Sequence, residues 1–152
     1  MELEYVLSRE NIGAIKNAED MPVNTRYGIE KGLWQSGKDI GGAFNRQVKD
    51  KKTKTGRIYT WRDKAGRKRR HQASAPGQSP ANRSGRYRRS FSFNVRREDE
   101  LSIINDAPYA GFLELGTSNM EPRPGLDNAI RASEADVLRN ITTGIIKGVT
   151  DV

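Results

Sequence analysis

The chain has 152 residues, 34% of them hydrophobic and 30% charged, with 27 Lys and Arg against 19 Asp and Glu, so it can build one core and that core must be lean. It contains no cysteine, which excludes disulfides and thiolate metal sites, and no apolar run approaches a membrane span or the core of a signal peptide. The expectation is a single domain over residues 1–152, made in a cytoplasm, with segments that become ordered in an assembly.

Met1 to Leu7 sets Leu3, Tyr5 and Leu7 against Glu2, Glu4 and Val6, the alternation of a short strand with one wet face. Ser8 is placed to cap a helical segment reaching about Asp20, broken by Met21-Pro22. From Val23 to Lys49 the apolar positions Val23, Tyr27, Trp34, Phe44 and Val48, with Leu33 and Ile40 beside them, predict an amphipathic helix. Gly37 and Gly41 share its spacing and would let another element approach closely. Lys49 to Gly56 has no apolar periodicity and is expected to be an exposed basic connection.

Arg57 to Trp61 and Lys68 to Ser74 flank Asp63-Lys64-Ala65-Gly66, the spacing of a β-hairpin with a glycine-containing turn. Ala75 to Arg86, rich in Pro, Gly, Ser and Asn, is a loop with room to move. Tyr87 to Arg97 alternates Phe91, Phe93 and Val95 as a strand, and beyond the turn Arg97-Glu98-Asp99-Glu100 the run Leu101 to Asn105 should pair with it antiparallel. Pro124 to about Val149 carries Leu126, Ile130, Val137, Ile141, Ile145 and Val149 on one helical stripe, whose partner should be the helix bearing Trp34. The expected class is α+β: a small antiparallel sheet of the Phe91 to Asn105 strands, the N-terminal strand and the basic hairpin, covered by two long helices.

The densest stretch is Pro108 to Ile130. Pro108 suits the start of a short helix, Tyr109, Phe112 and Leu113 fall at one-turn spacing on a face expected to pack inward, and Gly116 can take positive φ and stop the helix. A loop from Thr117 then leads to a second helix opened by Pro124. Glu114 lies at the helix end where the dipole disfavours an anion, so it needs a partner; Arg123 across the loop is the candidate, against the plainer alternative of a solvated carboxylate.

The order Tyr109-Ala110, Leu113-Glu114-Leu115-Gly116-Thr117, Arg123-Pro124 and a closing amphipathic helix resembles the tail-completion, or minor tail-component, proteins of long-tailed bacteriophages. Upstream, Ala75-Pro76-Gly77, Pro80, Ser84-Gly85-Arg86 and Arg88-Arg89-Ser90-Phe91 are similar to that family's Ala-Pro-Gly and Thr-Gly-x-Leu-x-x-Ser-Ile elements, with Tyr87 at the Leu position. The resemblance covers about half of the chain. It implies a non-enzymatic virion protein without cofactors, assembled in the host cytoplasm into a hexameric ring at the head-tail junction. There it would meet head-closure or adaptor proteins and tail-terminator or tail-tube proteins, around a channel that passes DNA.

Charge is distributed unevenly. Between Lys49 and Arg97 lie 17 of the Lys and Arg residues and only two acids, Asp50 and Asp63, so this third carries +15 and the remainder −7. The arm at about residues 50–86 presents Arg57, Arg62, Arg67, Lys68, Arg69 and Arg70 around Tyr59 and Trp61. Such a surface meets either the phosphates of nucleic acid or the acidic face of a neighbouring subunit, and the alternative function is a free basic nucleic-acid-binding protein. Equally, Tyr59 and Trp61 share a strand face and could be the packed side of the hairpin.

Catalytic patterns fare poorly. Gly32 to Asp39, GLWQSGKD, mimics a phosphate loop, but it ends in Asp where Ser or Thr must hold Mg²⁺ and sits in a helical pattern without a leading strand. His71 is the only histidine and lies among arginines on the hairpin, and carboxylates are scattered without metal-ligand spacing. A nuclease or toxin therefore lacks an acid, base or metal constellation.

Overall fold

The computed structural model describes residues 3–7, 22–96 and 99–150. Strand β1 spans Leu3–Leu7, helix α1 Val23–Lys49, β2 Ile58–Arg62, β3 Lys68–Gln72, the single turn α2 Arg86–Arg89, β4 Phe91–Arg96 and β5 Glu100–Asn105, followed by helices α3 Ala110–Leu115, α4 Leu126–Ala132 and α5 Glu134–Thr150. The helical segment expected from Ser8 to Asp20, and Arg97-Glu98 of the expected turn, lie outside the described residues.

The fold is α+β, as expected, with a layer of long helices on a small antiparallel sheet. That sheet has the order β1-β5-β4. Its register aligns Leu3, Asn105 and Phe91, then Tyr5, Ile103 and Phe93, then Leu7, Leu101 and Val95. Alternation puts all nine on one face, and this face meets Leu33, Ile40, Phe44 and Val48 of α1 in the core. Phe91 stacks on Phe44 with ring centroids 5.1 Å apart, and Trp34 meets Phe93 edge-on at 5.2 Å. The hairpin does not join this sheet: β2 and β3 form a separate two-stranded ribbon. Ile58, Tyr59 and Trp61 stay exposed on it, and no residue of either strand enters the core.

Glycine sets the spacing of the layers. A Cβ at Gly41 would come within 2.8 Å of the Phe91 ring, and one at Gly37 would overlap the Phe93 ring, so the close approach expected at both positions occurs. On the other side, α1 lies backbone to backbone against α5 at Gly28 and Gly144, with Gly32 against Asn140 and Gly148 against Asn24.

Three elements differ from the sequence expectation. The C-terminal helix is two helices, divided at buried Ser133, and α4 starts at Leu126, two residues after Pro124. The stripe is buried at Leu126, Val137 and Ile141 and half-buried at Ile130 and Ile145, but Val149 is exposed and Gly144 and Gly148 face α1 in its stead. On α1 the core takes Ile29, Leu33 and Ile40, while Val23, Tyr27 and Trp34 are exposed. Two helices meeting through glycine bury the small face and leave large residues beside it outside. Finally, the strand expected from Tyr87 begins only at Phe91. Gly85, at φ 79°, turns the chain into α2, which drops Tyr87 into the core, and Asn105 donates to the Tyr87 carbonyl at 2.8 Å.

Candidate functional site

The Pro108 to Ile130 stretch folds into a locked corner. Helix α3 ends at Gly116, whose φ of 77° suits glycine, and a Cβ there would meet the Met120 carbonyl at 2.7 Å and Pro122 at 2.9 Å. Thr117 and Met120 exchange backbone hydrogen bonds of 2.7 and 3.2 Å, which closes the turn, and the Arg123 N–H donates to the Leu113 carbonyl at 2.7 Å.

Glu114 is 5% exposed and serves the next helix. Its Oε1 accepts from the Tyr87 hydroxyl at 2.8 Å, from the Gly125 N–H at 2.7 Å and from the Leu126 N–H at 2.6 Å. The N-terminus of α4 thus receives a carboxylate from a distant residue where Gly125 supplies no side-chain cap. Burial, then the Glu114 charge, hold the Tyr87 phenol far above its ordinary pKa, so it stays a donor.

The expected Glu114–Arg123 pair is not formed. Arg123 donates through Nε to the Ser74 carbonyl at 3.0 Å, because three N–H groups and a phenol already surround the carboxylate. Nor does the Tyr109, Phe112 and Leu113 face pack inward as one: Phe112 is 49% exposed, with Tyr109 and Leu113 half-buried. The inward positions of this six-residue helix are Ala110, Gly111 and Glu114; a helix that short has one buried face, and the carboxylate occupies it.

This corner is joined to the 74–90 segment by named bonds. Gly77 N–H donates to the Pro122 carbonyl at 2.9 Å, Asn128 Nδ2 to the Gly77 carbonyl at 3.0 Å, and Ser79 Oγ to Gln47 Oε1 at 2.9 Å. The Ala75 to Ser79 part of the loop is therefore tied to the body. Gln78 adds a clamp, its Oε1 accepting from Ala75 N–H at 2.8 Å and Thr55 N–H at 3.1 Å while its Nε2 donates to the Thr53 carbonyl.

The basic arm grows from this clamp. Lys49 to Gly56 is not wholly exposed: Lys54 is only 5% exposed, and its ammonium donates to the Gln47 carbonyl at 2.9 Å and the Ser79 carbonyl at 2.7 Å. Burial lowers its pKa, against the raising influence of Asp50. The sequence signal was slight, a lysine in a basic run; only the fold shows that this one ties the arm's root to the body.

Beyond the root, the ribbon pairs Tyr59 with His71 and Trp61 with Arg69 on one face, and Thr60 with Arg70 and Arg62 with Lys68 on the other. All five residues of β2 are exposed, so Tyr59 and Trp61 are not a packed side. Each is covered by a cation: Arg57 lies over Tyr59 at 5.6 Å, and Arg83 from the following loop over Trp61 at 4.9 Å.

Asp63 organises the tip. Its Oδ1 accepts from the Ala65 and Arg67 N–H groups at 3.0 Å each, and its Oδ2 binds both Arg67 and Arg69. Desolvation would raise this carboxyl, but the Arg67 N–H, the Arg69 and Arg67 guanidiniums and the Ala65 N–H together hold it below the ordinary range. Of the six arm cations singled out in the sequence, Arg67 and Arg69 are thus engaged by Asp63 and Arg57 lies on Tyr59. Arg62, Lys68 and Arg70 project from the other face without an ion pair among the described residues.

The phosphate-loop mimic at Gly32 to Asp39 lies wholly within α1, where a cradle of free N–H groups cannot form. Among the described residues no cluster of three His, Asp or Glu could hold a metal ion, and no helix is long and apolar enough to cross a membrane. Neither the protein-family models, nor the curated proteins, nor the solved structures include one that matches this chain.

Proposed function

We propose that the chain is a structural subunit of a tailed bacteriophage or prophage particle, one copy of a ring at the head-tail junction, and not an enzyme. The observation that carries this reading is convergence. The two stretches that resemble tail-completion proteins, one before Phe91 and one after Pro108, meet at a single corner through Tyr87 to Glu114, Gly77 to Pro122 and Arg123 to Ser74. Each bond has one residue of that likeness at one end, Glu114, Gly77 or Arg123, and at the other a neighbour of it, Pro122 or Ser74, or the Tyr87 that stands at the family's Leu position.

The rest of the architecture suits a joint. A glycine-tight helix pair on a sheet makes a stiff body, and a solvated ribbon with no residue in the core extends from a clamped root. Such an arm gains its function from what lies outside the subunit. A head-to-tail contact between copies would close into a ring, hexameric on the family likeness, with head-closure or adaptor and tail-terminator or tail-tube proteins on its two rims. The setting is the virion, with assembly in the host cytoplasm.

Multi-angle light scattering over a range of protein and salt concentrations, followed by negative-stain microscopy, tests this. A discrete closed oligomer with a central opening wide enough for duplex DNA is expected. A strict monomer at every concentration and salt would refute ring formation by this chain.

A further inference from the structure

We propose that the arm grips the phosphate backbone of duplex DNA without reading its sequence, through Arg62, Lys68 and Arg70 on its outer face and Lys51 and Arg83 at its root. This names what the arm holds, and it rests on the reading above only for its setting.

The cations lie on both faces of the ribbon and meet at Arg70. Arg62, Lys68 and Arg70 share the outer face of the ribbon by register. Arg70 also borders a cleft of about 430 Å³ between the ribbon and the 50–54 and 81–83 segments, where Lys51, Arg69 and Arg83 gather around Trp61. The one acid lining that cleft, Asp50, accepts the Lys52 N–H at 2.9 Å in a local turn. His71 stands in the same cleft, where burial first and then the charges of Arg83 and Lys51 push its pKa down.

An acidic face on a second copy is the competing occupant, and the described residues offer little of one. Glu4 and Glu100 pair with Arg96, Asp127 with Arg131, and Asp136 with Arg139. Glu114 is buried in the corner, while Glu30, Asp106, Glu121 and Glu134 are dispersed over α1, the β5–α3 turn, the α3–α4 loop and the start of α5. Among the described residues unpaired positive charge is contiguous and unpaired negative charge is not, so the partner that matches the arm is an external polyanion.

Duplex is favoured over single strands because each aromatic already carries a cation. With Arg57 over Tyr59 and Arg83 over Trp61, a stacking base would compete with a guanidinium on each ring, whereas the charge of the ribbon is presented freely to a backbone.

The test is fluorescence anisotropy of the intact protein with a random-sequence duplex, a second duplex of different sequence and a single strand of equal length, each at several KCl concentrations. Five phosphate contacts predict a slope of log K against log salt of about −4.5, a loss of about 500-fold between about 50 and 200 mM, equal for both duplexes. The R62S/K68S/R70S variant should retain its thermal midpoint and fall to a slope of about −2. R62K/R70K should keep the parent slope, and Arg67→Ser, whose guanidinium Asp63 already holds, should change it by less than about 1. If the triple variant does not fold, Lys68→Ser alone should still lower the slope by about 1.

A slope unmoved by the triple substitution, or tighter binding to the single strand, would overturn the assignment. So would a ring whose formation needs Arg62, Lys68 and Arg70 while no DNA binds, an outcome that leaves the joint intact and gives the arm to a protein neighbour. Steep, sequence-independent duplex binding by a chain that never forms a ring supports the grip and refutes the ring instead.

Discussion

Replacing Glu114 with Ala removes the acceptor for four donors at once: the Tyr87 hydroxyl, the Gly125 N–H, the Leu126 N–H and, at 3.5 Å, the Asp127 N–H. The carboxylate is 5% exposed and Tyr87 is buried, so water cannot readily take its place. Loss of a helix N-cap costs about 1 kcal/mol. Leaving the phenol and a backbone N–H without a partner in the interior adds about 2 kcal/mol, for a total of about 3 kcal/mol. For a chain of this size that lowers the thermal midpoint by about 6–12 °C.

Urea unfolding at neutral pH, read by circular dichroism, measures this directly. Tyr87→Phe should cost less, about 1 kcal/mol, because the carboxylate retains its three backbone donors. The double variant should cost less than the sum of the two, since both break the same bond. If Glu114→Ala lost less than about 1 kcal/mol, the corner would not depend on its carboxylate and the argument from convergence would fail with it.

Two further outcomes follow from burial and packing. Because burial first and then Glu114 raise the pKa of the folded Tyr87 phenol above the ordinary phenol value of about 10, its contribution is complete well below pH 10 and is lost as pH rises further. Between about pH 10 and 11.5 the parent should lose about 1.4 kcal/mol per pH unit more than Tyr87→Phe; parallel pH profiles would contradict the buried neutral phenol. On α1, Gly32→Ala puts a methyl 2.7 Å from the Asn140 carbonyl oxygen, and a backbone cannot step aside as a side chain can. Strain of about 1–3 kcal/mol there outweighs a helix-propensity gain of about 1 kcal/mol. Gly42→Ala meets only the flexible end of Arg46 at 3.3 Å and should stabilise by about 0.5–1 kcal/mol. Chemical denaturation separates the two, and equal effects would show that α1 and α5 are not in backbone contact.

Local periodicity and turn chemistry determined most of the element list. The alternation of Phe91, Phe93 and Val95, the glycine-bearing turn at Asp63 to Gly66 and the long helix from Val23 are short-range signals, and the structure follows them. Gly116 was legible because only glycine relieves a positive φ, and Gly37 and Gly41 because nothing else admits an aromatic ring so near a helix. Composition also showed that a basic arm stands apart from an acidic remainder.

Partners across long sequence separations were decided by the tertiary structure alone. Arg123 was the nearest charge in sequence to complete Glu114, but the carboxylate is closed by a tyrosine twenty-seven residues away and by the helix that follows. The same holds for Lys54, one lysine among many until Gln47 and Ser79 present their carbonyls to it. Which α1 residues are buried changed too, since the glycines that meet α5 rotate Tyr27 and Val23 outward. A residue type states what bonds it can make; only the folded chain sets which groups lie within their reach, because an electrostatic or hydrogen-bond preference spans a few ångströms and sequence distance does not measure that.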